Sequence, residues 1–286
     1  MAGQFEENAV SFACEDDAAI GIVASPVSPA ERGVLIVVGG PQYRVGSHRQ
    51  FVLLSRHLAA HGIATMRFDV RGMGDSSGTL RSFEDVQPDL AAAVDCFFAK
   101  VQQLKEVVLW GLCDAASAAL FYAHRDRRVC GLVLLNPWVR TSTGEAQAYL
   151  RHYYRQRLLS AELWRKLIAG RFDVRASVAS LAGYARKAFA HAARTREEGT
   201  DRSAPLPERM ADGMQRFSGE VLLILSGNDL TAREFTDTAA ASPRWRALLA
   251  DARVTQRTLA EANHTFSTRA WRDCVADWTL EWVTSR

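Results

Sequence analysis

No run of about 18 apolar residues occurs in this 286-residue chain, so no membrane-spanning helix is expected. Cysteine is scarce. Cys14, Cys96, Cys113, Cys130 and Cys274 are scattered, odd in number and without a Cys-x-x-Cys spacing. That argues against a disulfide framework and against zinc, and it suits a reducing compartment. No metal and no cofactor are expected. Excess charge of one sign is also missing: 35 Lys and Arg face 32 Asp and Glu, a net +3. So weak a balance argues against a nucleic-acid partner, and no basic-aromatic repeat accompanies the seven tryptophans. Met1 to Glu7 has neither a basic n-region nor an apolar h-region, which predicts no secretory leader and a cytoplasmic protein. Internal repeats and low-complexity stretches are absent too.

Hydrophobic residues make up 48% of the chain and charged residues 23%, enough to build a sizeable core. The length suits one large domain, or one core carrying an insertion. Asn8 to Cys14 and Ala18 to Ala24 read as two strands joined by the acidic turn Glu15-Asp16-Asp17. Buried strands are expected at Val34 to Val38, Ile63 to Phe68, Val107 to Trp110, Val129 to Leu135 and Val221 to Leu225, with a last strand at Arg253 to Leu259. Helical spacing separates many of them. Phe51, Leu54 and Leu58 form one stripe, and Leu90, Val94 and Phe97 another, behind a capping box at Ser82 and Asp85. Trp271, Val275, Trp278 and Trp282 form a third near the end. Alternating strand and helix predicts a parallel sheet covered on both faces.

Between residues 140 and 218 the strand pattern vanishes. Leu150, Tyr153, Tyr154 and Leu158 form a helical stripe, as do Leu163, Trp164, Leu167 and Ile168. A third helix is expected over Ala176 to Ala193 and a loop over Arg194 to Pro207. The segment 140–218 therefore reads as an all-helical insertion, a lid, within a core made of 1–139 and 219–286.

The stretch Val107-Val-Leu-Trp-Gly-Leu-Cys-Asp-Ala-Ala-Ser117 organises the rest. Strand, glycine, nucleophile, small residue and helix is the logic of the nucleophile elbow, in which the middle residue sits on a strained turn. Cys113 holds the place usually taken by serine. A buried structural thiol is the alternative reading. A thiolate needs a base and an acid behind it. The candidates are His264, after the last strand, and Asp229, after the strand that reopens the sheet. All three fall at carboxyl ends of expected parallel strands, where open α/β sheets bind ligands. Asp229 could equally serve as a turn residue. An oxyanion hole needs two backbone N–H donors. Asp114 is one candidate. The other comes from the loop after Val34 to Val38, where Pro41 has no N–H, leaving Gln42 first and Gly40 second.

These residues resemble the α/β-hydrolase superfamily, in which nucleophile, acid and base follow in this order. Gly39-Gly40, Arg71-Gly-Met-Gly-Asp-Ser76 and the elbow are similar to its lipase and esterase branch, with Gly39 in place of the usual motif histidine. More narrowly, Val38-Gly-Gly-Pro-Gln-Tyr-Arg-Val-Gly-Ser-His48, Gly111-Leu-Cys-Asp-Ala-Ala-Ser117 and Ser226-Gly-Asn-Asp-Leu-Thr231 resemble the exosortase A system-associated hydrolases, type 1. Dienelactone hydrolases also use a cysteine elbow but resemble this chain less, lacking so large a cap. The resemblance implies a mostly parallel eight-stranded sheet with an inserted helical cap, and a neighbourhood of exopolysaccharide and protein-sorting functions.

A thiolate leaves more readily than an alkoxide, so a cysteine nucleophile favours thioesters, lactones and activated esters over amides. The expected partner is a small acyl ester or thioester. Acyl transfer to an alcohol, and a catalytically silent binding protein, are the alternatives. The basic insertion (Arg151, Arg155, Arg157, Arg165, Lys166, Arg171, Arg175, Arg186, Lys187) is either a solvated helix face or an anion-attracting entrance. Tyr153, Tyr154 and Trp164 are candidate acyl-pocket residues.

Overall fold

The computed structural model describes residues 3–40, 42–140 and 204–285. Two compact units divide the chain: Met1–Val139 with Pro207–Arg286, and Arg140–Leu206. The helices expected between 150 and 193, with Tyr153, Tyr154, Trp164 and the basic series, lie outside the described residues.

The first unit is built on one eight-stranded sheet. In chain order its strands are β1 (Phe5–Cys14), β2 (Asp17–Pro26), β3 (Arg32–Val37), β4 (Thr65–Phe68), β5 (Glu106–Leu112), β6 (Val129–Leu135), β7 (Glu220–Ser226) and β8 (Val254–Leu259). Their spatial order is β1-β2-β4-β3-β5-β6-β7-β8. β1 and β2 form an antiparallel hairpin closed by Glu15 and Asp16, and β2 runs antiparallel to β4. Every pairing from β4 to β8 is parallel. The pairings Val37 with Gly111, Leu112 with Leu135, and Ser226 with Leu259 bring the carboxyl ends of β3, β5, β6, β7 and β8 to one sheet edge.

Period-two alternation sorts the apolar side chains of the central strands. Val34, Ile36, Val108, Trp110, Val133 and Leu222 pack with α1 (Gln50–Ala60) and the last helix, α7 (Arg269–Thr284), through Phe51, Leu54, Leu58, Val275, Trp282 and Val283. The opposite face carries α2 (Gln87–Lys100), α3 (Asp114–Tyr122), α4 (Leu206–Arg216), α5 (Leu230–Ala241) and α6 (Pro243–Leu249). There Leu120, Leu134, Met214, Leu223, Phe235 and Trp245 meet.

Several expectations need correcting. The sequence reading leaves α4, α5 and α6 unassigned. α4 belongs to the first unit from Pro207 onward, so the core resumes there and not at 219. Its Gly213 lies so close to α3 that an added Cβ would stand 2.3 Å from the Leu120 carbonyl oxygen. Ser82 caps a short 3₁₀ turn over Phe83–Asp85, accepting from the Glu84 N–H, and does not cap α2. α7 buries Val275, Ala276, Thr279, Trp282 and Val283, while Trp271 and Trp278 are only partly covered. Both of these indoles still pack against the core. No described helix is long and apolar enough to cross a membrane.

Candidate active site

Leu112 ends β5 and Asp114 begins α3, leaving one residue to make the reversal. Cys113 makes it with φ 63° and ψ −125°, a conformation costing a non-glycine residue about 1–3 kcal/mol. The surrounding bonds hold it there. Its N–H donates to the Leu135 carbonyl at 2.9 Å. Its own carbonyl accepts from Ala116 at 3.1 Å and from Trp138 at 3.3 Å. Gly111 leaves room for the reversal: an added Cβ would sit 2.7 Å from the Ala115 carbonyl carbon. Cys113 is partly buried, and none of the described cysteines forms a disulfide.

Asp229 follows the turn after β7, and His264 follows β8. The backbone N–H groups of Gly227 and Asn228 tie the two loops together by donating to the Leu259 and Ala262 carbonyls. The histidine Nδ1 stands 2.9 Å from Asp229 Oδ2. That same oxygen accepts from the Ala232 N–H at 3.0 Å, so Asp229 also caps α5. Burial pushes the Asp229 carboxyl up, but the His264 bond and charge and the α5 backbone N–H groups outweigh it and hold it below the usual range. An ionised carboxylate only accepts, so His264 donates through Nδ1. The carboxyl side chain is 8% exposed and the imidazole 33%, so the ring reaches solvent while its partner does not.

Asp114 does more than offer its backbone. Its Oδ2 accepts from the Gly40 N–H at 2.7 Å and its Oδ1 from the Ala115 N–H at 2.9 Å. The Gly40 N–H is therefore committed to a carboxylate, which counts against Gly40 as an oxyanion donor here. A Cβ at position 39 would lie 2.1 Å from Asp114 Oδ1, so Gly39 and Asp114 depend on each other. Burial pushes the Asp114 carboxyl above its ordinary range, offset only in part by these N–H groups and by His264. Gln42 is half-buried, and its Oε1 is buried without a hydrogen-bond partner among the described residues. No group of three or more metal-ligating side chains occurs among the described residues.

Asn136, which the sequence reading passes over, lies at the centre of this edge. Fully buried after β6, it accepts the Ser226 N–H and donates through Nδ2 to Ser226 Oγ and to the His264 carbonyl. Asn136-Pro137-Trp138 thus touches both the elbow, through Trp138, and the His264 backbone. The only hint in the sequence is a polar residue closing a fully apolar strand.

A single-residue reversal after the fifth strand, with an acid and a histidine on the two loops beyond it, is the arrangement of an α/β hydrolase. Residues 34–277 match the family described as the Alpha/beta hydrolase family, and the chain belongs to it. Among solved structures, the Pyrococcus furiosus esterase Pf2001 superposes with TM-score 0.67 at 16% identity, covering 98% of this chain and 93% of that one. A dienelactone hydrolase from Anabaena variabilis gives TM-score 0.61 at 16% identity, covering 99% and 98%. A curated relative, the polyketide transferase grgF of a Penicillium species, is 27% identical over 122 residues. The alignment spans 41% of this chain and only 41% of that protein's length.

Proposed function

We propose that this protein is an acyl hydrolase with a Cys113–His264–Asp229 triad. The observation that carries the reading is the His264–Asp229 hydrogen bond at the same sheet edge as Cys113 in the elbow conformation. Asp229 holds the imidazole in the tautomer with Nε2 bare, ready to take the Cys113 thiol proton. The N-terminus of α3 is the positive end of the helix dipole, which favours a thiolate at Cys113. The thiolate sulfur attacks the carbonyl carbon. The oxyanion rests on the backbone N–H groups of Asp114 and Gln42. His264 then gives its proton to the departing thiol or alcohol. Water, deprotonated by His264, attacks the resulting acyl-cysteine, and the acid leaves as the sulfur recovers its proton.

The easy departure of sulfur from the first intermediate directs the enzyme to thioesters, lactones and activated esters. Residues 140–206, with Tyr153, Tyr154 and Trp164, are proposed as a cap lined for the acyl chain. Its basic series would suit a phosphate-bearing carrier. Acyl transfer is the second reading, favoured by the curated relative named a polyketide transferase. The exosortase-associated resemblance points to a polysaccharide hydroxyl as that acceptor.

Turnover of p-nitrophenyl acetate or of a short acyl thioester tests the triad. Cys113→Ala should reduce it by about 10⁴-fold or more. Equal turnover in that variant would reject the nucleophile. Product analysis with and without sugar acceptors separates transfer from hydrolysis.

A further inference from the structure

We propose that Asn136 is a positioning residue: its buried carboxamide sets the direction of the His264 ring relative to the elbow. The inference rests on the triad reading above.

The geometry comes from five hydrogen bonds, four of them made by Asn136. The Asn136 N–H donates to the Ile224 carbonyl of β7 at 3.1 Å. Oδ1 accepts the Ser226 N–H at 2.8 Å. Nδ2 spends its two protons on Ser226 Oγ at 2.9 Å and on the His264 carbonyl at 3.1 Å. The Ser226 hydroxyl passes the link on, donating to the Asn263 carbonyl at 3.0 Å. Two successive carbonyls, at 263 and 264, are thereby fixed by one amide and one hydroxyl. Fixing the carbonyl of a residue fixes its ψ, and with it the direction in which the side chain leaves the backbone.

The backbone of Asn136 makes a merely space-filling role a poor account. Its φ is 44°, in the left-handed region, and Pro137 follows. A residue before proline is pushed toward extended conformations, so the surrounding bonds must hold this one where it is. Two residues on, Trp138 donates to the Cys113 carbonyl. One short loop therefore grips the nucleophile's backbone at one end and the base's backbone at the other. Loss of the carboxamide leaves the His264–Asp229 bond available, yet removes what aligns that pair with the sulfur.

The test uses the full chain and p-nitrophenyl acetate. Asn136→Gly deletes the carboxamide while keeping the left-handed backbone and its N–H. Because small misalignments of reacting groups are costly, kcat should fall about tenfold to a hundredfold with KM within about twofold. The pH at which iodoacetamide begins to alkylate Cys113 should move with it, since the sulfur loses its aligned base. In a His264→Ala background the same substitution should cost nothing further. Asn136→Asp, similar in shape but with an acceptor facing the His264 carbonyl, carries the same kinetic and alkylation readouts if the glycine variant does not fold. Full kcat and an unmoved alkylation profile in a folded variant would overturn the proposal. So would an equal loss in the His264→Ala background. Failure of the triad itself reads differently: Cys113→Ala would then retain turnover whatever stands at 136.

Discussion

Burial works against reactivity in the four described cysteines outside the elbow. Burial pushes the Cys14 thiol up to about 11 and the Cys130 thiol up to about 12, and raises those of Cys96 and Cys274. A raised thiol pKa lowers the thiolate fraction, and only thiolates react. Limiting iodoacetamide at pH 7 should therefore modify Cys113 first, read by peptide mass spectrometry. Preferential labelling of Cys14 or Cys130 would contradict the assignment. A second test at this scale concerns position 39, where the Asp114 carboxylate leaves no room for a side chain. Gly39→Ala would push a methyl to 2.1 Å from Asp114 Oδ1 and should cost about 1–3 kcal/mol in urea unfolding. The same change in an Asp114→Ala background should cost less. Equal costs would mean the two positions are independent.

The acid loop and α5 share one oxygen, and that sharing makes a prediction about elements. Asn caps a helix as well as Asp does, but it cannot support an imidazolium. Asp229→Asn should lower kcat by about 10⁴-fold with little change in unfolding free energy. Asp229→Ala should lose the cap as well, about 1 kcal/mol more. Similar stability in the two variants would deny the cap its role. The same residue shows what a linear sequence discloses. Val107 to Trp110 and Val129 to Leu135 are legible because parallel strands buried on both faces read as unbroken apolar runs. Gly111, Cys113 and Ala115 are legible because a tight reversal restricts its neighbours. α5 and α6 are not legible, since their apolar stripes are short and broken: α5 buries only Ala232, Phe235 and Ala239. Their caps, Asp229 and Ser242-Pro243, were the available signal. Asn136 was hidden for another reason. Its partners at 224, 226 and 264 lie on distant segments that only the closed sheet brings together.

The whole molecule responds to acid through its held carboxylates. Burial raises the Asp126 carboxyl, but hydrogen bonds from Arg128 and Tyr122 outweigh it and bring it down to about 2. Asp229 is lowered in the same sense. A carboxyl whose folded pKa is depressed stabilises the fold above its ordinary value of 3.8 and loses that contribution as pH falls toward about 2. Tm should thus drop through this window, and Asp126→Asn should show a smaller drop. An identical fall in the variant would place the acid sensitivity elsewhere. The expectations for Cys113, Asp229 and His264 meet at one sheet edge, where the loops after strands far apart in the chain carry a sulfur, a carboxylate and an imidazole. Mass spectrometry after brief exposure to a short acyl thioester tests that convergence most directly. The account predicts one acyl group on the peptide containing Cys113, accumulating further in His264→Ala if acylation still proceeds and absent in Cys113→Ala. An acyl group on a different residue, or undiminished turnover in Cys113→Ala, would contradict it.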